Sequence, residues 1–357
     1  MKKEKRWILF TLLISILIPL LINIISDPYG VFGLKLIDKK WRPWTNNIRH
    51  LKINKILKEK NKYDSFLIGS SRIGLIEPEL MKKYLPKARF YNLYFPAADQ
   101  RDNSNTIAFL SKVTNIKNII LLVNLTEIDH YNNQNIFDLL NFKHHYKVTG
   151  ENFFVYYIKY LLPKWSMILK TIKLSMGKIK TSNLTSYIQQ NQGTWNYKTL
   201  ENYIMKYGQY YFERQFKSSY QKPIRREKGI LLKSQLKALK KIKMICSQKN
   251  INLIVFVPPH HARILDKYEI KSYLSFLKGI AMITPFWNFS GYNSVTLNKY
   301  LHYDKTYFRY EVAQMILDRI FNKPNSSLND DFGFYVTKAN VDDYLIQLEK
   351  EIEENEY

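Results

Sequence analysis

The residues able to do chemistry gather at the ends of short apolar runs. The first such end reads Ile68-Gly69-Ser70-Ser71-Arg72. A hydroxyl at a strand-to-helix turn is placed for nucleophilic attack, and the backbone N–H groups beyond it can hold an oxyanion. Serine is also a common helix cap, so these residues alone leave Ser70 and Ser71 open to either role. A second run ends in Tyr91-Asn92-Leu93-Tyr94-Phe95-Pro96 and a third in Asn124-Leu125-Thr126-Glu127. Asn124 can offer a side-chain amide to the same site. Asn92 and Asn124 are equally ordinary turn residues, and Glu127 and Asp129 suit helix caps. The fourth run ends in Pro258-Pro259-His260-His261-Ala262. Paired histidines suggest a base or a metal ligand, yet neighbours at a strand end point in opposite directions, so at most one faces a shared site. No carboxylates at ligand spacing accompany them. A last polar stretch, Tyr300 to Phe308, contains His302, Asp304 and Tyr307.

These ends need a scaffold, and the runs themselves supply it. Ser65 to Ile68, Arg89 to Leu93, Ile119 to Leu125, Leu253 to Val257 and Met282 to Trp287 have the length and β-branched content of buried parallel strands. They alternate with helical patterns over about Glu77 to Tyr84, Asp102 to Thr114, Lys228 to Gln248, Ile264 to Leu277 and Arg309 to Phe321. That order predicts an α/β fold: a three-layer α/β/α sandwich on a mainly parallel sheet, with the polar ends along one carboxyl edge. The expected layout is a cytoplasmic tip and anchor over 1–26, a connector over 27–62, the α/β domain over 63–128 and 228–357, and a helical cap insertion over 129–227. The insertion is far longer than a crossover requires. Within it, Phe153 to Ile172 interleaves aromatic and lysine residues in the manner of an interfacial helix.

The first residues fix the setting. Lys2, Lys3, Lys5 and Arg6 precede an apolar run from Trp7 to about Ile25, close to the roughly 20 residues that span a bilayer. The basic cluster should stay cytoplasmic, which puts the rest of the chain across the membrane. A cleaved signal peptide has the same form, but the run leads into Asn23-Ile24-Ile25-Ser26-Asp27-Pro28 with no small-x-small site, which favours an uncleaved single-pass anchor. A formal charge of +25 commonly points to nucleic acid. For a domain beyond the membrane it points instead to lipid headgroups and acidic polymers. The single cysteine, Cys246, rules out an internal disulfide and a thiolate-built zinc site, and its helical pattern with Leu239 and Ile242 reads as a buried structural thiol. No phosphate loop, dinucleotide fingerprint or metal set is present in the sequence, so no cofactor is expected.

Together these segments resemble the SGNH/GDSL hydrolase superfamily, and more closely its membrane-anchored bacterial branch, which often accompanies envelope polysaccharide genes. The resemblance runs over almost the whole chain after the anchor. It rests on Asp27-Pro28-Tyr29-Gly30, the Gly-Ser-Ser-Arg block, Pro258-Pro259-His260-His261-Ala262, Asn288-Phe289-Ser290-Gly291-Tyr292-Asn293, Phe332-Gly333 and Asn340. It implies an SGNH/flavodoxin-like sheet, with Ser71 at the nucleophile position and Asp304 as the first member of the Asp-x-x-His block. Asn124 falls near the oxyanion Asn. The oxyanion Gly falls near Pro96, which has no N–H. Tyr307 stands where the family carries histidine, and a phenol, titrating near about 10, is a poor base at neutral pH. His302 and His261 are the other candidates for the base.

The resemblance therefore implies an extracytoplasmic protein of envelope polysaccharide or lipid-linked polymer biosynthesis, derived from O-acyl esterases or transferases. The alternative is a non-catalytic scaffold or binding module for an acidic glycan or a membrane-bound acyltransferase. Expected partners are the membrane and such a polymer or acyltransferase, and not nucleic acid.

Overall fold

The computed structural model describes residues 2–34, 47–128, 143–177, 193–194, 197–217 and 232–355. Asp129, residues 228–231 of an expected helix and much of the expected insertion lie outside the described residues. The chain forms two compact units, Met1–Lys58 with Phe137–Tyr187, and Glu59–Ile136 with Ile188–Tyr357. The expected 129–227 insertion is thus divided between them.

The first unit begins with helix α1, Lys2–Ser26. Of this, 24 residues from Lys3 to Ser26 are long and apolar enough to cross a membrane. The helix stops at Asp27, whose φ is +38° and whose carboxylate accepts the N–H groups of Val31, Phe32 and Gly33. A charged side chain satisfying three backbone donors turns the chain sharply at Asp27-Pro28-Tyr29-Gly30. Helices α2 (Ile48–Lys58), α4 (Tyr146–Thr149), α5 (Phe153–Leu161) and α6 (Trp165–Ser175) complete it. Leu162 and Pro163 separate α5 from α6, because the residue before a proline is driven from helical geometry. The interior is polar and aromatic. His50 and His145 stack at 4.7 Å, His50 Nδ1 meets Tyr156 OH at 2.9 Å, and Asn47 donates to Tyr160 OH at 2.8 Å.

The second unit is α/β. Strands β1 (Ser65–Gly69), β2 (Phe90–Tyr94), β3 (Asn118–Leu122), β4 (Asn252–Val257), β5 (Phe286–Asn288) and β6 (Phe334–Val336) form one sheet in the order β2-β1-β3-β4-β5-β6. The first five run parallel. The last, which the sequence reading did not anticipate, pairs antiparallel with β5.

Alternation along the strands sends side chains to both faces. Leu67, Ile120, Leu122 and Phe256 share a core with Val312, Ala313 and Ile316 of helix α11, Tyr310–Ile320. Their neighbours Phe66, Ile68, Ile119, Leu121 and Val255 are equally buried on the other face. There α3 (Gln100–Val113) packs on α9 (Leu232–Gln248). Near continuous burial of both strand faces is what a parallel sheet between helical layers demands. Helices α7 (Lys198–Tyr207) and α8 (Gln209–Phe216) also belong to this unit. So do α10 (Ile270–Ala281) and α12 (Val341–Asn355), which pack together.

Two expected helices differ. Glu77 to Tyr84 yields only a 3₁₀ turn, Leu80–Lys83, because Pro78 and Pro86 bracket it and leave little room for a longer helix between β1 and β2. Ile264 to Leu277 is broken at Tyr268, which is extended between the turn Ala262–Lys267 and α10. Cys246 is buried on α9 and its thiol is pushed up to about 11 by that burial, which fits a packing role.

Candidate functional site

Gly69 closes β1 at φ +156°, and a Cβ there would stand 2.8 Å from Leu122 Cβ. The absent side chain lets β1 and β3 run together to the edge where the chain leaves the sheet. Ser71–Leu75 then forms a 3₁₀ turn. Asn92, buried on β2, holds that turn from below: its amide donates to Ile73 O at 2.7 Å and Ile76 O at 2.9 Å, and its oxygen accepts Tyr94 N–H.

The turn opens into a cavity of about 230 Å³ whose walls include Ser70, Ser71, Arg72, Asn124, Glu127 and Tyr307. Ser71 Oγ lies 2.7 Å from Tyr307 OH. Tyr307 is carried by the loop before α11, and Asp304 Oδ1 shapes that loop by accepting Thr306 N–H at 2.7 Å and Tyr307 N–H at 2.9 Å. Arg72, buried beside them, donates from Nε to Thr306 O at 2.8 Å and sits 5.9 Å over the Tyr307 ring. Burial pulls this guanidinium down, while the nearby Tyr307, Tyr268, Glu127 and Asp304 favour its charge. Ser70 makes no side-chain cap bond, and its buried Oγ has no hydrogen-bond partner among the described residues.

The opposite wall comes from the end of β3. Asn124 Oδ1 accepts from His260 Nε2 at 2.9 Å. This leaves the Asn124 NH₂, which has no hydrogen bond among the described residues, as a donor for a bound oxygen. Glu127 is buried and takes Gln100 Nε2 at 2.8 Å and Asn124 N–H at 3.2 Å on its two oxygens. Burial raises its carboxyl well above the usual range, with the bond from Gln100 opposing. Ala97 also lines the cavity and sits at φ +53°, a conformation costly for any residue but glycine. Its N–H makes no hydrogen bond among the described residues, so Ala97, the residue after Pro96, brings a donor to this edge.

The structure thus brings Ser71, Asn124 and Tyr307 to one cavity, with Asp304 behind Tyr307. It does not bring His261 or His302 there. Their rings pack on each other at 5.8 Å, Phe216 covers His261 at 4.9 Å, and His302 Nδ1 bonds Asn298 O. Of the two adjacent histidines the one that touches the site is His260, as opposed pointing at a strand end requires. Sequence reasoning passed over Arg72, Ala97 and the burial of Glu127. The adjacency of Arg72 to Ser71 was a usable signal. Nothing local marks Ala97 or Glu127. Among the described residues no cluster of His, Cys, Asp or Glu is arranged to hold a metal.

Burial lowers His261 to about 4 and His302 to about 3. Both folded values lie below the unfolded value near 6.5, so the unfolded state binds more protons in between. Stability from this pair is complete above that value and falls as pH drops toward about 3, on the order of 1 kcal/mol per pH unit for each ring. Glu127 acts in the opposite sense, since its raised value favours the folded state as pH falls. We expect urea midpoints of the full chain in detergent to drop between pH 6 and 4, with a shallower slope in His302→Asn. An unchanged slope in that variant would show that His302 is not the titrating group.

A scan of protein-family models and a search of curated proteins gave no match to this chain.

Proposed function

We propose that this chain is a membrane-anchored, extracytoplasmic SGNH-like protein of envelope polysaccharide or lipid-linked polymer biosynthesis, descended from O-acyl esterases or transferases. The observation that carries this reading is the 2.7 Å contact of Ser71 Oγ with Tyr307 OH, on a turn at the carboxyl edge of a parallel sheet with Asp304 fixing the tyrosine backbone. A serine hydroxyl, donors from Asn124 and Ala97, and an acidic residue behind a third group form the layout of an acyl-transfer site. In place of an imidazole it holds a phenol. A phenol donates a hydrogen bond well and accepts a proton poorly at neutral pH, so the site is suited to holding an acyl ester and poorly suited to cleaving it. Supporting the setting, α1 opens with Lys2, Lys3, Lys5 and Arg6 and is long and apolar enough to span a bilayer.

A non-catalytic binding module is the second reading, favoured by the same contact, since Ser71 Oγ is already engaged by Tyr307. Two measurements test the proposal. Protease added to spheroplasts should digest the α/β unit, and protection until lysis would rule out the topology. The purified full chain should hydrolyse a small acetyl ester close to background, with Ser71→Ala no slower. Brisk turnover lost in Ser71→Ala would make this a working esterase.

A further inference from the structure

The amphipathic order of α5 is inverted. The buried face of α5 carries Tyr156 and Tyr160, both at 0% exposure, whose hydroxyls bond His50 and Asn47. The outer face of the hairpin carries Phe153, Phe154, Ile158, Leu162, Trp165 and Leu169, with Phe154 at 71% and Leu162 at 72% exposure. A surface facing water has the polar residues outside, and a contiguous exposed patch of this kind marks an interaction site.

Its place beside α1 identifies what covers it. Both α5 and α6 pack against α1. Asn23, in the last turns of α1, donates to Tyr160 O and to Leu161 O at 3.1 Å, two of the carbonyls that the end of α5 leaves unpaired. A polar residue inside an apolar helix is thereby accounted for: it latches the hairpin to the end of α1. The apolar stretch of α1 from Trp7 to Ser26 reaches about 30 Å at 1.5 Å per residue, matching a hydrocarbon core of about 30 Å. With the basic residues before Trp7 in one headgroup layer, the latched turn at Asn23 lies about one helical turn inside the opposite edge of the core. Exposed Lys164 and Lys173 on the same hairpin suit anionic lipid.

We infer that the α5–α6 hairpin is a second membrane element, lying in the leaflet that the C-terminal end of α1 enters, with its outer apolar face in lipid. This rests on the reading of α1 as a membrane anchor. The test uses the full chain with Cys246→Ala, single cysteines at Leu13, Ile158 or Leu162, an NBD label, and vesicles of phosphatidylcholine and phosphatidylglycerol carrying nitroxide lipids. Ile158 and Leu162 are exposed, so labelling leaves the interior of the unit intact. The expected result is blue-shifted emission at both, quenched more by a nitroxide near the headgroup than by one deep in the chains, for a depth of about 5–10 Å. The Leu13 label should be quenched more by the deep nitroxide. Emission at 158 and 162 like that of free label in buffer, with Leu13 still quenched, would overturn the inference and leave the anchor standing. Blue-shifted emission without quenching would overturn it too, showing a protein cover in place of lipid. Loss of quenching at Leu13 would overturn the anchor and the inference together.

Discussion

Replacing Tyr307 by histidine is expected to raise hydrolysis of a small acetyl ester by about 10²-fold over the wild-type chain, the low end of what a positioned general base contributes. The geometry gives the reason. Tyr307 already meets Ser71, so a base at this position is aimed at the right hydroxyl. Asp304 spends one oxygen on the N–H groups of Thr306 and Tyr307. Its other oxygen has no hydrogen bond among the described residues and is available to orient an imidazole through Nδ1–H, as the base of a serine triad requires. The imidazole is shorter than the phenol, so a small closing of the 304–307 turn or one bridging water completes the contact. Two controls separate chemistry from general disturbance. Ser71→Ala in the histidine background should remove the gain, and Tyr307→Phe should stay at background. A gain that survives Ser71→Ala would place the chemistry elsewhere.

The largest loss of stability is expected at Asn92. Alanine there removes the donor to the carbonyls of Ile73 and Ile76 and the acceptor of the Tyr94 N–H, all in a buried setting, while Ile73 O keeps the N–H of Ile76. Each unsatisfied buried group costs about 1–3 kcal/mol, so with Ile76 O and Tyr94 N–H affected a total of about 2–6 kcal/mol is expected. In a domain of this size that lowers Tm by roughly 5–20 °C. Asn92→Asp keeps the acceptor but sets a buried carboxyl against the two carbonyls, and should cost at least as much as alanine. Because Ile73 lies in the Ser71–Leu75 turn and Ile76 closes it, the same change should erode any hydrolysis gained by Tyr307→His. Denaturation of the full chain in detergent reads the first effect, and an Asn92→Ala midpoint within error of wild type would contradict it.

The sheet was legible in the sequence because its parallel strands are short, apolar and closed by Gly, Asn or Pro, signals that act within a few residues. The strand Phe334–Val336 was not, since three residues carry no period and its pairing is set by the edge of β5. The same limit governs the site. Ser71, Asp304, Asn124 and Tyr307 were identified from motif positions. His261 was named in place of His260, because the choice depends on which way the strand end faces. Ala97 was invisible because its left-handed backbone runs against the preference of alanine, and the tertiary contacts around Phe95 to Ala98 impose it. Glu127 read as a cap, and only Gln100 at the start of α3 and the packing of α9 against the Leu125–Ile128 turn make it a buried carboxyl. In the first unit, Asn23 is a polar residue within an apolar run. Its role depends on a partner 137 residues away.

In the proposed function Ser71 sits in an acyl-transfer geometry from which the base is missing. Phosphonylation by an alkyl fluorophosphonate tests this most directly, read by peptide mass spectrometry on the full chain, wild type beside Tyr307→His. Slow modification of the wild type is expected, and in the histidine variant modification at Ser71 faster by about the same 10² expected for the base. Rapid, complete modification of wild-type Ser71 would contradict it, and so would a histidine variant modified only at other residues.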